Sequence, residues 1–179
     1  TQTIQSSVRT AGSLTQTVNL LDAGNILLTY TETLDVIGRA KSRVFVIDTV
    51  TYTTTFNYAS TKSMFADTAS MSNGTQTIQS SVRTAGSLTQ TVNLLDAGNI
   101  LLTYTETLDA LGRTKTRTYA IEGEGTYTLA FSYTNKTLIA DVGTLTNPDN
   151  QVIQASTRTP GAFTFNVKVL DQGKSLLTY

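Results

Sequence analysis

The chain has no cysteine, no histidine and no tryptophan, and only two prolines in 179 residues. Without cysteine there is no disulfide framework and no thiol nucleophile, although a disulfide-free chain is compatible with any compartment. Without histidine the commonest general base and one of the principal metal ligands are both missing. No catalytic, cofactor-binding or metal-ligating residue is identified, and no enzymatic activity is expected. Charge is also sparse: 13 Lys and Arg balance 13 Asp and Glu. The basic residues are scattered singly, which removes the electrostatic footprint of a nucleic-acid or anionic-membrane partner. No run of 18 apolar residues and no leader pattern is present, so a soluble chain without membrane insertion is expected. Alternating strands would suit a membrane barrel, but the aromatic girdles of one are lacking.

What the sequence does contain is repetition. Thr1 to Asp35 recurs letter for letter as Thr75 to Asp109, and a looser third copy runs from Asn150 to Tyr179. The spacing, 75 − 1 = 74 residues, predicts a module of that length. Modules of residues 1–74 and 75–149, followed by a partial repeat over 150–179, are one partition. The other is a partial repeat over 1–30, then 31–104 and 105–179. Small modules bury only about 60% of their unfolded surface, so stacking on neighbours is expected to stabilise them.

Within each copy the periodicity is two. Thr10-Ala11-Gly12-Ser13 and Asp22-Ala23-Gly24-Asn25 read as turns between strands Gln2 to Arg9, Leu14 to Leu21 and Ile26 to Leu34. The second turn returns as Asp96-Ala97-Gly98-Asn99 and as Asp171-Gln172-Gly173-Lys174. Leu14, Val18 and Leu20 share an expected core face that Gln16 interrupts, and the third copy places Phe163, Phe165, Val167 and Val169 there. Ile26, Leu28 and Tyr30 are expected inward, and Thr29, Thr31 and Thr33 outward. Past Asp35 the copies diverge. Val44 to Ile47 and Thr118 to Ile121 read as matching strands, and Tyr52, Thr54, Phe56 and Tyr58 form an aromatic row repeated by Tyr127, Leu129, Phe131 and Tyr133. A sixth strand is expected at Met64 and Ala66, with Leu138 and Ala140 as counterparts. With strands roughly every 12 residues and no sustained helical pattern, the expected class is all-β: tandem antiparallel β-sandwich-like modules of about six strands.

Several motifs invite chemical readings. The Asp-x-Gly turns lack the other oxygens of a calcium loop and are assigned to turn geometry. Asn73-Gly74-Thr75 and Asn135-Lys136-Thr137 match the N-glycosylation triplet. Lys41, Lys62, Lys115 and Lys136 could form an amide cross-link only if buried beside an acid or amide; strand-end lysines that guard a sheet edge are the simpler reading. Thr-x-Thr runs, which could form an ice-binding array only on a flat sheet, are assigned to solvent-facing strands, since a small sheet twists.

The layout is similar to the repeat stalks of bacterial or archaeal surface adhesins and fibres, which string together small, sometimes nearly identical β-sandwiches. That resemblance implies an extracellular or cell-surface structural or adhesive repeat protein, part of a fibre, pilus-like filament or stalk. The spare three-strand copy suggests a homo-oligomer or filament formed by β-strand pairing or strand exchange. The alternative is a carbohydrate- or protein-binding β-sandwich that presents an aromatic row to a surface glycan or protein receptor.

Overall fold

In the computed structural model, which describes residues 3–134 and 137–179, the chain is all-β. Its fifteen strands are β1 (Gln5–Arg9), β2 (Thr15–Asp22), β3 (Asn25–Leu34), β4 (Ala40–Ile47), β5 (Val50–Asn57), β6 (Thr68–Ser72), β7 (Thr77–Arg83) and β8 (Thr89–Asp96), followed by β9 (Asn99–Leu108), β10 (Thr114–Ile121), β11 (Gly125–Ser132), β12 (Val142–Thr146), β13 (Val152–Thr157), β14 (Asn166–Asp171) and β15 (Lys174–Thr178). Each strand hydrogen-bonds only to its neighbours in sequence, giving one open antiparallel sheet in the order β1 to β15. The chain divides into two compact units. One comprises 1–4, 21–25 and 104–179, and the other 5–20 and 26–103.

The hairpin turns follow from their residues. Ala23 and Gly24 have φ of 48° and 88°, and Ala97 repeats the first value closely at 46° with Gly98 at 83°. Positive φ at both central positions is the turn whose twist matches the flanking strands. The β3 to β4 and β9 to β10 loops are built differently. Asp35 Oδ1 accepts from the amides of Ile37 and Arg39, and Asp109 Oδ1 from those of Leu111 and Arg113. One carboxylate in each loop therefore organises the whole turn.

In the unit containing 26–103, Val18, Tyr30, Leu34 and Val92 are buried, as the alternation along β2 and β3 predicts. Between Tyr30 and Leu34, however, the inward position is Glu32, only 4% exposed. It accepts from Arg43 Nε at 2.8 Å and from Gln16 Nε2 at 2.6 Å. Gln16 thus interrupts the apolar face because it serves a buried carboxylate. In the unit containing 104–179, Glu106 repeats the arrangement with Arg117 Nε at 2.9 Å and Thr114 Oγ1 at 2.7 Å.

Four expectations need correction. Leu14, placed on the core face with Val18 and Leu20, is 45% exposed, because it precedes β2. Ile26 is 59% exposed, because it sits beside the turn where the strand pair runs out of cover. Phe163 and Phe165 are 64% and 42% exposed and precede β14, leaving Val167 and Val169 as its half-buried pair. Met64, 79% exposed, and Ala66 lie in a loop; the sixth strand begins at Thr68, where pairing with β5 and β7 resumes.

Gly98 has no other atom within 4 Å of the position a Cβ would take. Any effect of Gly98→Val must therefore come from φ rather than contact. The expected result is a loss of about 1 to 2 kcal/mol, read from the denaturant midpoint.

Candidate functional site

The aromatic rows are the natural first place to look for a binding face. Tyr52, Phe56 and Tyr58 are half-buried, as are Tyr127, Phe131 and Tyr133. They are also already in use. Arg39 lies 4.0 Å over the Tyr58 ring and Arg43 5.0 Å over Phe56, with Arg113 and Arg117 placed likewise at 4.2 Å over Tyr133 and 5.7 Å over Phe131. Tyr58 donates to the Ala40 carbonyl and Tyr133 to that of Thr114. Tyr52 stacks on Phe45 at 5.3 Å. These rows act as ledges for arginine and as inter-strand fasteners.

The most elaborate polar geometry lies elsewhere, at the β11 to β12 and β13 to β14 loops. Arg158, at the end of β13, is fully enclosed between two carboxylates. Its Nη1 reaches Asp22 Oδ2 at 2.6 Å, and its Nη2 reaches Asp22 Oδ1 at 3.2 Å and Asp141 Oδ1 at 2.8 Å. The remaining donors satisfy the carbonyls of Ile139, Ala140 and Ala162. Asp22, at the tip of the β2 to β3 hairpin and 1% exposed, also accepts from the amides of Leu138 at 3.2 Å, Ile139 at 3.5 Å and Gly161 at 3.1 Å. A cradle of three backbone N–H groups and one guanidinium thus receives a single carboxylate. Gly161, at φ 87°, lets the hairpin approach: a Cβ there would lie 2.8 Å from that of Ala23.

Burial alone would push the Asp22 carboxyl up, but the Arg158 hydrogen bond, the Ile139 and Gly161 amides and the Arg158 charge together hold it below the usual carboxylate range. The Asp22 hydrogen bond in turn raises Arg158, outweighing its own desolvation. The result is a charge-paired, bidentate lock.

The other unit carries a second version of the cradle at the β5 to β6 and β7 to β8 loops. Arg83 Nη2 meets Asp67 Oδ1 at 2.7 Å, as Arg158 meets Asp141. Its Nε donates to Ala66, and its other donors reach the carbonyls of Phe65 and Ser87. Here the Ser63 hydroxyl and, at 3.4 Å, the Thr84 carbonyl occupy donors that Asp22 takes on Arg158. The loops around Arg83 frame an open cavity of about 450 Å³, lined in part by Met64, Phe65 and Gly86.

The remaining sequence candidates are not drawn into either cradle. Lys41, Lys62 and Lys115 are exposed, which removes the burial an amide cross-link requires; Lys136 and Asn135 lie outside the described residues. Asn73 uses its side-chain oxygen to cap its own turn, accepting from the amides of Thr75 and Gln76. Among the described residues no group of three or more Asp and Glu is placed to hold a metal, and no helix is long and apolar enough to cross a membrane. No protein-family model matches the chain, and no curated protein matches it.

Removing one member of a buried ion pair strands the other, so Arg158→Ala is expected to cost about 3 to 5 kcal/mol by chemical denaturation. Arg158→Lys should recover little of it, since an ammonium cannot form the fork. The pH dependence has a definite sign. Asp22 is depressed in the folded chain relative to an unfolded value near 3.9, so its contribution is complete above about pH 4 and is lost as pH falls through the lowered folded value. Thermal midpoints should hold nearly level from about pH 8 to 5, where no histidine titrates, and drop below about pH 4. Asp22→Asn should shallow that drop without abolishing it, because Asp35 and Asp109 are lowered as well.

Proposed function

We propose that the chain is a structural repeat block of an extracellular fibre, pilus-like filament or surface stalk, without catalytic activity, in which the 74-residue repeat is the building unit and folds as a sandwich-like module. The observation that carries this reading is the pair of sheet edges. Every residue of β1 and of β15 is exposed, and β15 presents Leu176 at 68% and Leu177 at 56%. Exposed edges invite pairing with another chain unless they are blunted, and at five residues each these two are short. Only Lys174 of β15 and Arg9 of β1 carry charge on these strands. Repetition of one unit and buried salt bridges that fix loop geometry suit a building block used many times over. The resemblance to adhesin stalks, and with it the surface location, points the same way.

A second reading, a carbohydrate- or protein-binding module, draws support from a cavity of about 210 Å³ that includes Arg117, Phe131, Tyr133 and Phe165. Aromatic faces beside a guanidinium are the chemistry that stacks on sugar rings.

Electron microscopy of the purified chain, together with deletions of Thr1–Tyr30 and Asn150–Tyr179, tests the first reading. Fibres or concentration-dependent oligomers that either deletion suppresses are expected. A selective hit on a glycan array, with a chain that stays monomeric, would replace it with the second.

A further inference from the structure

The hairpin Leu21-Asp22-Ala23-Gly24-Asn25 has an identical twin, Leu95-Asp96-Ala97-Gly98-Asn99, and the two are in opposite circumstances. Asp22 is buried in the cradle around Arg158. Asp96, Ala97, Gly98 and Asn99 are all exposed, and among the described residues the Asp96 carboxylate is met only by Gln76 Nε2 at 3.2 Å. Ile100 and Leu101 beside the tip are 60% and 69% exposed.

The cradles are in opposite circumstances too. The Arg158 cradle is built from Leu138, Ile139, Asp141, Arg158 and Gly161. At the same places around Arg83 stand Met64, Phe65, Asp67, Arg83 and Gly86. Gly86 has the same left-handed backbone as Gly161, φ 71° against 87°. A Cβ on Gly161 would strike Ala23, whereas one on Gly86 would meet nothing within 4 Å. Among the described residues the amides of Met64, Phe65 and Gly86 have no protein acceptor, whereas those of Leu138, Ile139 and Gly161 hold Asp22. The Met64 side chain is 79% exposed, and Leu138 is half-buried.

We infer that the Arg83 cradle is a docking site for the Asp96 hairpin of a second copy of this chain, seated as the Asp22 hairpin is seated at Arg158. This rests on the reading of the chain as a building block and supplies a contact between blocks besides the sheet edges. The occupant is specified by the molecule's own example: the same five residues, the same donors and the same close glycine. Asp171-Gln172-Gly173-Lys174 is a poorer candidate, because Gln172 replaces the small Ala23 that fits against the glycine. On docking, the Asp96 carboxylate takes donors of Arg83 now held by Ser63 and Thr84, together with the three amides. In a meander the β8 to β9 tip lies at one end of the strands and the β5 to β6 and β7 to β8 loops at the other. The contact is therefore heterologous, using different surfaces on the two copies, and it propagates rather than closing into a symmetric dimer.

The test uses the full chain in sedimentation velocity over a wide concentration range, with two variants. Asp96→Asn keeps the turn and the Gln76 contact and removes only the charge; Ala85→Trp fills the cavity at Arg83 from an exposed position. The wild type should form an open series of oligomers that grows with concentration. Each variant alone should weaken association by about 10- to 100-fold, the range of one charge-assisted contact. Mixed, the two should form dimers and stop there, because the hairpin of the Ala85→Trp chain still fits the cradle of the Asp96→Asn chain. Asp171→Asn should change nothing. Circular dichroism confirms that each variant is folded. A wild type that stays monomeric at millimolar concentration overturns the inference. So does association that survives both variants; that result would assign assembly to the sheet edges and leave the structural role of the chain standing.

Discussion

Arginine set between carboxylates is the constraint on which the loops of this protein depend. Among the described residues, buried hydrophobic residues number five, against eight buried polar or charged ones, and three of the eight, Asp22, Asp141 and Arg158, belong to a single lock. Taking such charges out of water is costly, and the mutual attraction offsets that cost only when geometry is close to ideal and the remaining donors are satisfied. Both conditions are met: the Arg158 fork meets Asp22 at 2.6 and 3.2 Å, and among the described residues no buried side-chain nitrogen or oxygen lacks a partner. A forked guanidinium also sets the direction of each bond it makes, which a point charge does not.

The same constraint explains how much could be read beforehand. Turns and strands were legible because they rest on local rules. Asp-Ala-Gly-Asn specifies its hairpin wherever it occurs, and Val18, Tyr30 and Leu34 announce a face by alternation. Glu32, Glu106, Asp22 and Arg158 were not legible, because a charged residue at an inward position looks like an interruption until its partner is known, and Arg158 lies 136 residues from Asp22. A signal was present in the divergent half of the repeat. Arg39, Arg43 and Asp67 persist as Arg113, Arg117 and Asp141 while the residues around them change. Persistence of charge amid drift between internal copies marks a salt bridge more reliably than hydrophobic pattern does. The misplaced sixth strand has the opposite origin: Met64 and Phe65 look like strand residues, but their amides lie where the loop forms a cradle.

Identical sequences in different surroundings are informative because they separate what a segment encodes from what its neighbours impose. The β2 to β3 and β8 to β9 hairpins share every residue and the same turn dihedrals, with Ala23 and Ala97 agreeing within a few degrees. Their difference in burial is imposed from outside. A turn that keeps its shape whether covered or bare is preorganised, and preorganisation lowers the ordering cost of any contact it makes.

The meander also has a kinetic side. Each strand pairs with its chain neighbour across a short connection, so sheet formation requires the closure of small loops only and can spread from any hairpin. The Asp22 to Arg158 lock is different, since it must bring together residues that are remote along the chain, and its charges gain little until the surrounding loops have excluded water. On loop-closure grounds it is expected to form after the sheet. An interaction absent from the transition state governs how fast the native chain opens and leaves the rate of its formation almost untouched. A lock formed late slows the opening of the native chain, the quantity that sets its lifetime under force.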